Sequence, residues 1–197
     1  MTDLRINPLT MTDSYGKIFL YNTESTVACV PRHTIRMSEP VDPECLLKAV
    51  RIALLRFPHM CIGIEKTETS YQCYVNGEDP VVLPFDPAGV EHRYAIGSAD
   101  THHYLFLVGY RGNNIYMEYQ HSISDGRGFE EFIRCVLFLY LQECGKPVRN
   151  DGSIRALDTM YTREESEDAF RALQEMEPKA DGIYQKPEAV HAEGLTN

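Results

Sequence analysis

The segment from Tyr104 to Cys144 constrains the fold of this chain most strongly. It begins with two stretches rich in β-branched and aromatic residues, which are separated by the polar residues 111–114. A polar loop follows, and an almost wholly apolar run of helical length then begins at Phe129. Two strands joined by a tight turn and followed by an apolar helix can bury their apolar faces only against each other. The segment therefore predicts a layered fold with a helix on a sheet.

The loop between the second strand and the helix, residues 121–128, reads His-Ser-Ile-Ser-Asp-Gly-Arg-Gly. Side chains alternate along a strand, so His121 forms the polar end of the apolar row that includes Met117 and Tyr119. The helix is predicted to begin near Gly126. A histidine placed just ahead of a helix N-terminus is favoured as a neutral ring that accepts a proton, which is the requirement for a general base.

The same loop also allows a purely structural interpretation. Asp125 can cap the N-terminus of the helix, and His121 is then a half-buried polar residue in a strand-to-helix turn. Gly126 and Gly128 would permit backbone angles and close approaches that a side chain blocks. The loop alone leaves both interpretations open, and the elements around it favour the catalytic one.

Composition and charge exclude several classes of protein. A formal charge of −10 disfavours nucleic acid and anionic membranes as partners, since both select basic surfaces. No apolar run reaches the length of a membrane span, and residues 1–5 do not resemble a signal peptide, so a cytoplasmic location is expected. The six cysteines show neither a Cys-x-x-Cys pair nor zinc-finger spacing, which predicts reduced thiols and no metal site.

The rest of the chain supplies further strands and a second long helix. Asp42 and Pro43 are a helix start signal, and the helix that follows is predicted to stop before Pro58. Extended segments are predicted at four other places: within Thr26 to Met37, and at Cys61 to Glu65, Tyr71 to Val75 and Pro80 to Phe85. Strands with hairpin-type connections and two long helices predict an α/β or α+β layered domain with a mixed sheet.

The composition changes after Asn150. Residues 162–176 are predicted to form an acidic helix, with the run 163–168 on its solvated face, and residues 177–197 show no core face. We therefore predict one domain over residues 1–150, followed by an acidic helix and a linker over residues 151–197.

Three features in this order resemble the chloramphenicol-acetyltransferase-like superfamily, which includes alcohol acyltransferases and the condensation domains of peptide synthetases. They are the helix of residues 43–58 that ends in Arg-x-Pro, the strand pair that leads into Glu-Tyr-Gln-His-Ser-Ile-Ser-Asp-Gly-Arg-Gly, and the apolar helix behind it. The resemblance covers residues 26–145. It implies a mixed sheet packed against helices, and in two-domain members two such halves enclose an active-site tunnel.

The resemblance also implies roles for the loop residues. His121 would be the general base, Asp125 a structural residue turned away from the substrate and paired with an arginine, and Gly126 the residue that permits the turn. Condensation domains usually carry a second histidine directly before the catalytic one, whereas this chain has Gln120. That difference favours the alcohol-acyltransferase-like branch.

The implied activity is acyl transfer from a thioester to a small-molecule alcohol or amine. The donor would be acyl-CoA or an acyl carrier thioester, acting as a co-substrate, and no bound cofactor or metal is expected. Ser124 and Tyr119 are expected beside the substrate or in the turn. Arg127 would either meet a phosphate of CoA at the helix start or pair with a nearby acidic residue.

The chain allows two hypotheses about its function. The position of His121 fits the N-terminal half of a two-domain member, so the chain is expected to lack the second tunnel wall and to be weakly active or inactive alone. The alternative is a non-catalytic module that keeps the fold and associates with a separately encoded C-terminal half or with a second copy of itself.

Overall fold

The computed structural model describes residue 16 and residues 18–20, 29–68, 71–89, 92–162 and 165. The strands and helices that lie wholly within the described residues are β1 (Arg32–Arg36), α1 (Pro43–Arg56), β2 (Ile62–Lys66), β3 (Tyr71–Val75), β4 (Val82–Pro84), β5 (Phe106–Arg111), β6 (Asn114–Tyr119) and α2 (Gly126–Glu143). Two short 3₁₀ turns occur at Pro58–Met60 and Ala99–Thr101.

Four strands form a mixed sheet in the order β1-β6-β5-β4. β6 pairs antiparallel with β1 and with β5, whereas β4 pairs parallel to β5. β2 and β3 form a separate antiparallel hairpin. The predicted architecture, a mixed sheet packed against helices, is therefore confirmed.

The start of α1 follows from its sequence. The Asp42 carboxylate accepts hydrogen bonds from the backbone N–H groups of Glu44 and Cys45, at 2.9 and 3.1 Å. Pro43 occupies the first turn, where its missing N–H costs nothing. The helix ends at Arg56, two residues before Pro58. The predicted cap and both predicted ends are confirmed.

The alternation along β6 divides the molecule into two layers. Met117 and Tyr119 face the helices and belong to the main core, together with apolar residues of α1 and α2. Tyr116 points to the other face, where it forms a smaller cluster with Phe85 and Leu107. The row on which His121 was predicted to lie is therefore the row covered by the helices.

The packed unit continues past residue 150. Ala156 is 4% exposed and belongs to the main core, with Ile154 packed beside it. The predicted acidic helix and linker fall mostly outside the described residues, so the division of the chain at residue 150 stays a prediction.

The sequence-based assignment of Glu165 to a solvated helix face is wrong. Both oxygens of its carboxylate accept hydrogen bonds from the Arg56 guanidinium, at 2.9 and 3.0 Å. Arg56 is 4% exposed and also donates to the Thr159 hydroxyl at 2.9 Å. The many charged residues around Glu165 indicated solvent exposure. The sequence gives no sign that this glutamate pairs with a buried arginine 109 residues away.

Candidate functional site

Backbone hydrogen bonds hold the end of β6 and the loop after it. The Gln120 N–H donates to the Leu105 carbonyl at 2.8 Å, and the His121 N–H donates to the Cys29 carbonyl at 3.2 Å. The Ile123 N–H then donates back to the Gln120 carbonyl at 3.2 Å and closes a turn. The end of β6 is therefore hydrogen-bonded to the chain segments on both of its sides, and His121 lies where this pairing ends.

The imidazole of His121 is half-buried between aromatic side chains. It stacks on the ring of Phe19, with 4.3 Å between ring centroids and 17° between planes. The Tyr119 ring lies on another side, tilted by 43° with its centroid 5.8 Å away. The two contacts restrict rotation of the imidazole, which is the condition for presenting a ring nitrogen in one direction.

Tyr119 is the aromatic centre of this site. It is 1% exposed and stacks on Phe129 of α2, with 4.0 Å between centroids. The ring centroid of His33 of β1 lies 6.2 Å from that of Tyr119, so two histidines lie near the tyrosine ring. Burial, together with the negative charge of Asp125, raises the pKa of Tyr119. The hydroxyl therefore stays protonated at neutral pH and acts only as a neutral polar group.

Asp125 is the N-cap of α2. Its carboxylate accepts a hydrogen bond from the Gly128 N–H at 2.6 Å, and the Ser124 hydroxyl donates to the Asp125 carbonyl at 3.0 Å. Asp125 braces the loop rather than contacting the His121 ring. Among the described residues no arginine forms an ion pair with this carboxylate, so the implied arginine partner stays a prediction.

Nothing in the surroundings of Gly126 requires a glycine, and its implied role of permitting the turn stays a prediction. Gly126 has no positive φ, and a Cβ added there would meet only the Tyr119 hydroxyl, at an ordinary 3.9 Å. Gly128 has the tight environment instead, because an added Cβ would lie 2.6 Å from Ser124 Oγ and 3.1 Å from Asp125 Oδ1. The cap requires the glycine in the third position of the helix, where the backbone N–H meets the aspartate.

Alanine at these two glycines is expected to have opposite effects. Gly128→Ala should lower the free energy of unfolding by about 1 kcal/mol, since the new methyl group displaces the Ser124 hydroxyl and crowds the cap. Gly126→Ala should leave it unchanged or raise it by about 0.5 kcal/mol, because alanine favours helix. Urea unfolding of both variants measures the difference. Equal loss in both would show that Gly128 has no special environment.

Arg127 is exposed in the first turn of α2. No described acidic residue forms an ion pair with it, so neither a CoA phosphate nor a protein carboxylate is favoured by its contacts. Its predicted roles stay predictions.

Three features around His121 and Tyr119 were not predicted from the sequence. Phe19 and His33 lie far from the loop along the chain, and nothing in the spacing of residues indicates that they meet it. Ser122 is 3% exposed, and its hydroxyl has no hydrogen-bond partner. The burial of Ser122 was detectable in principle, because a serine next to a buried strand end often becomes buried. The lack of a hydrogen-bond partner for its hydroxyl was not detectable.

Two cavities lined by described residues lie on the opposite face of the sheet from His121. One of about 210 Å³ is bounded by Arg32, Phe85 and Glu118, and a broader one of about 610 Å³ by Arg36 and Tyr116. Neither is lined by His121. Both are separated from its ring by the sheet itself.

Two classes of feature are not found in the described part of the chain. None of its helices is long and apolar enough to cross a membrane. None of its groups of histidine, cysteine, aspartate and glutamate has three members placed to hold a metal ion.

No protein-family model and no curated protein matches the sequence. Solved structures do match the fold. The X-domain from teicoplanin biosynthesis has a TM-score of 0.52 at 13% identity, covering 85% of this chain and 39% of its own. Polyketide synthase associated protein 5 from Mycobacterium tuberculosis has a TM-score of 0.51 at 13% identity, covering 73% of this chain and 36% of its own.

A third match is a mutant of the starter condensation domain of rhizomide synthetase RzmA in complex with C8-CoA. Its TM-score is 0.50 at 15% identity, with 71% of this chain and 37% of that chain covered. The chain thus spans less than two fifths of the length of each of these three structures. With its mixed sheet and its two packed helices, the described part of the chain has a fold similar to that of the RzmA starter condensation domain and of the X-domain.

Proposed function

We propose that this chain takes part in acyl transfer from an acyl thioester to an alcohol or amine, with His121 as the general base. The observation that carries the proposal is the placement of His121. Its imidazole lies where β6 ends, held by Phe19 and Tyr119, in a loop braced by the Asp125 cap. A protein of the same fold has been solved in complex with C8-CoA, which supports acyl-CoA as the donor.

The chemistry required of the imidazole is one proton transfer at a time. A ring nitrogen takes the proton from the acceptor hydroxyl or amine while that group attacks the thioester carbonyl carbon. The carbon–sulfur bond then breaks, and the departing thiolate recovers the proton as a thiol. The products are one ester or amide and one thiol, so the proposal needs no covalent enzyme intermediate and no metal.

The assay offers C8-CoA with a panel of small alcohols and amines to the whole 197-residue chain. Product should be quantified by chromatography and mass spectrometry, because the exposed thiol of Cys29 would react with thiol dyes. We expect product above the background without protein, at a low rate, since the chain spans less than two fifths of the length of its structural neighbours. Product that does not depend on the protein would contradict the proposal.

The second candidate is a non-catalytic module that uses the fold for association. It is favoured by the small share of its structural neighbours that the chain spans, 39% for the X-domain. It is also favoured by apolar side chains that the fold leaves exposed, among them Leu55 at 74% and Met160 at 87%. A chain that neither binds C8-CoA in calorimetry nor forms product, but self-associates in a light-scattering concentration series, would support this candidate. A strict monomer without C8-CoA binding would contradict both acyl transfer and self-association.

A further inference from the structure

Two cysteines from distant parts of the chain meet where the start of α1 contacts the end of α2. Cys45 lies in the first turn of α1, and Cys144 caps the C-terminus of α2. The Cys45 thiol lies 3.6 Å from the carbonyl oxygen of Glu143, the residue before Cys144. The Cys144 thiol is also close enough to the Cys45 thiol to raise its pKa. A cysteine pair therefore spans the two helices.

Neighbouring contacts hold these helix ends in place. The Asp42 N–H donates to the hydroxyl of Tyr140 at 3.1 Å, which joins the N-cap of α1 to the last turns of α2. Just beyond Cys144, the ammonium group of Lys146 contacts both carboxylate oxygens of Glu39, at 2.7 and 2.9 Å. Because both sides of the junction are fixed, each thiol meets the other at high effective concentration.

Exposure distinguishes this pair from three of the other four cysteines. Cys45 and Cys144 are half-buried, whereas Cys73 and Cys135 are buried in the core. Cys29 is exposed, but it lies near His121 at the opposite end of α2. A small reagent can therefore reach the pair, while the two chain segments that carry it are already packed together.

We propose that Cys45 and Cys144 are a site of intramolecular disulfide formation by exchange with a small disulfide, of which oxidised glutathione is the probe. One cysteine, as its thiolate, attacks a sulfur of the probe, forms a mixed disulfide and releases one small thiol. The other cysteine then attacks the protein sulfur of the mixed disulfide and releases the second. Two protein thiols are oxidised to one disulfide, and one small disulfide is reduced to two thiols.

The reaction is expected to be slow at neutral pH and faster in alkali. Burial, together with the neighbouring thiol of Cys144 and the charge of Asp42, raises the pKa of Cys45 to about 11. Only the thiolate attacks a disulfide, so the fraction of reactive Cys45 rises with pH over the whole accessible range.

The experiment uses the whole chain carrying Cys29→Ser, which removes the exposed thiol that could join two molecules. The protein is incubated with oxidised glutathione at about pH 7.5 and about pH 9, remaining thiols are alkylated, and the digest is analysed by mass spectrometry. We expect a linked peptide pair that contains Cys45 and Cys144, formed faster at the higher pH. The linked protein should unfold at a temperature roughly 5–10 °C higher, since the bond closes a long loop.

Cys61→Ser is the matched control, because Cys61 is also half-buried and its substitution should leave the linked pair unchanged. Cys45→Ser and Cys144→Ser should each abolish it. Alkylation of both cysteines under all conditions, or a mixed glutathione disulfide that never resolves, would overturn the proposal. The test does not depend on acyl transfer, so its outcome is separate from that of the proposed function.

Discussion

Replacement of His121 by alanine is expected to lower the rate of acyl transfer by about 10²–10⁴-fold, the range for loss of a positioned general base. The reason is that no other described group takes over the proton. The Tyr119 hydroxyl, which is the nearest alternative on the same face, stays protonated because burial raises its pKa. Asp125 uses its carboxylate to cap α2. The measurement is the initial rate of C8-CoA consumption with the most reactive acceptor of the panel.

The matched control is His33→Ala. The ring centroid of His33 lies 6.2 Å from that of the same tyrosine, Tyr119, so its removal disturbs the aromatic packing without removing the proposed base. We expect the rate of this variant to stay within about threefold of the original. Equal losses in both variants would assign the effect of His121→Ala to packing, and an unchanged rate in His121→Ala would end the general-base assignment.

A second large effect is expected at the ion pair between Arg56 and Glu165. The Arg56 and Glu165 side chains are 4% and 10% exposed, and their charges meet through two hydrogen bonds. Arg56→Met keeps the volume of the side chain but leaves the Glu165 carboxylate with two described partners, the exposed Arg155 guanidinium at 3.2 Å and the Thr162 N–H at 3.1 Å. The free energy of unfolding should fall by about 3–5 kcal/mol, since a buried charge has lost its partner.

A double variant separates the ion pair from the shape of the side chains. Replacing both partners, by Arg56→Met and Glu165→Leu, should recover much of the lost stability, because no buried charge is then left alone. Urea unfolding of the two single variants and the double variant gives the coupling energy. If the double variant is as unstable as the sum of the single variants, Arg56 and Glu165 act independently.

The same pair gives the stability a pH dependence. Burial alone would raise the pKa of Glu165, but hydrogen bonds from Arg56 and from the Thr162 N–H, with the charge of Arg155, lower it overall. A carboxyl whose pKa is lower in the folded chain contributes stability above its unfolded pKa and loses it as the pH falls through the folded value. Glu165→Gln should therefore flatten the acid side of the stability profile.

The two predictions concern different kinds of residue. His121 lies in a segment whose pattern already indicated a site, and its assignment depends on the resemblance of the loop to a family. In the sequence, Arg56 is noted only as the arginine of Arg-x-Pro at the end of a helix. The structure gives that arginine a physical role, since it ties the end of α1 to residues 159–165.

Much of the fold was predictable because its signals are local. The Asp42 and Pro43 start, the stop before Pro58 and the alternation along β6 each act within one or two turns or strands. The predicted strand at Tyr71 to Val75 has the same bounds as β3, and the second helix, α2, begins at Gly126 as predicted. Capping, periodicity and proline restrict the backbone near the residue that carries them.

Errors arose where local and distant effects compete. The run that contains Glu165 is highly charged, so it indicated a solvated helix face, yet a buried arginine brings that glutamate inward. The resemblance assigned the turn to Gly126, and of the two glycine positions in the loop the more crowded one is Gly128. Which of two glycines is crowded depends on the rotamers of Ser124 and Asp125, and these are not a property of the local pattern.

The sequence by itself determined the strand, the loop and the helix around His121, the cap at Asp125 and the mixed α/β layering, because each follows from side-chain periodicity and short-range hydrogen bonding. Only the tertiary structure decided that Phe19 stacks on His121, that Cys45 meets Cys144 and that Arg56 is buried against Glu165. These contacts join residues about 100 positions apart, and the free energy that selects them comes from burial and packing of the whole core. A short stretch of sequence does not reveal the free energy of burial and packing summed over the whole core.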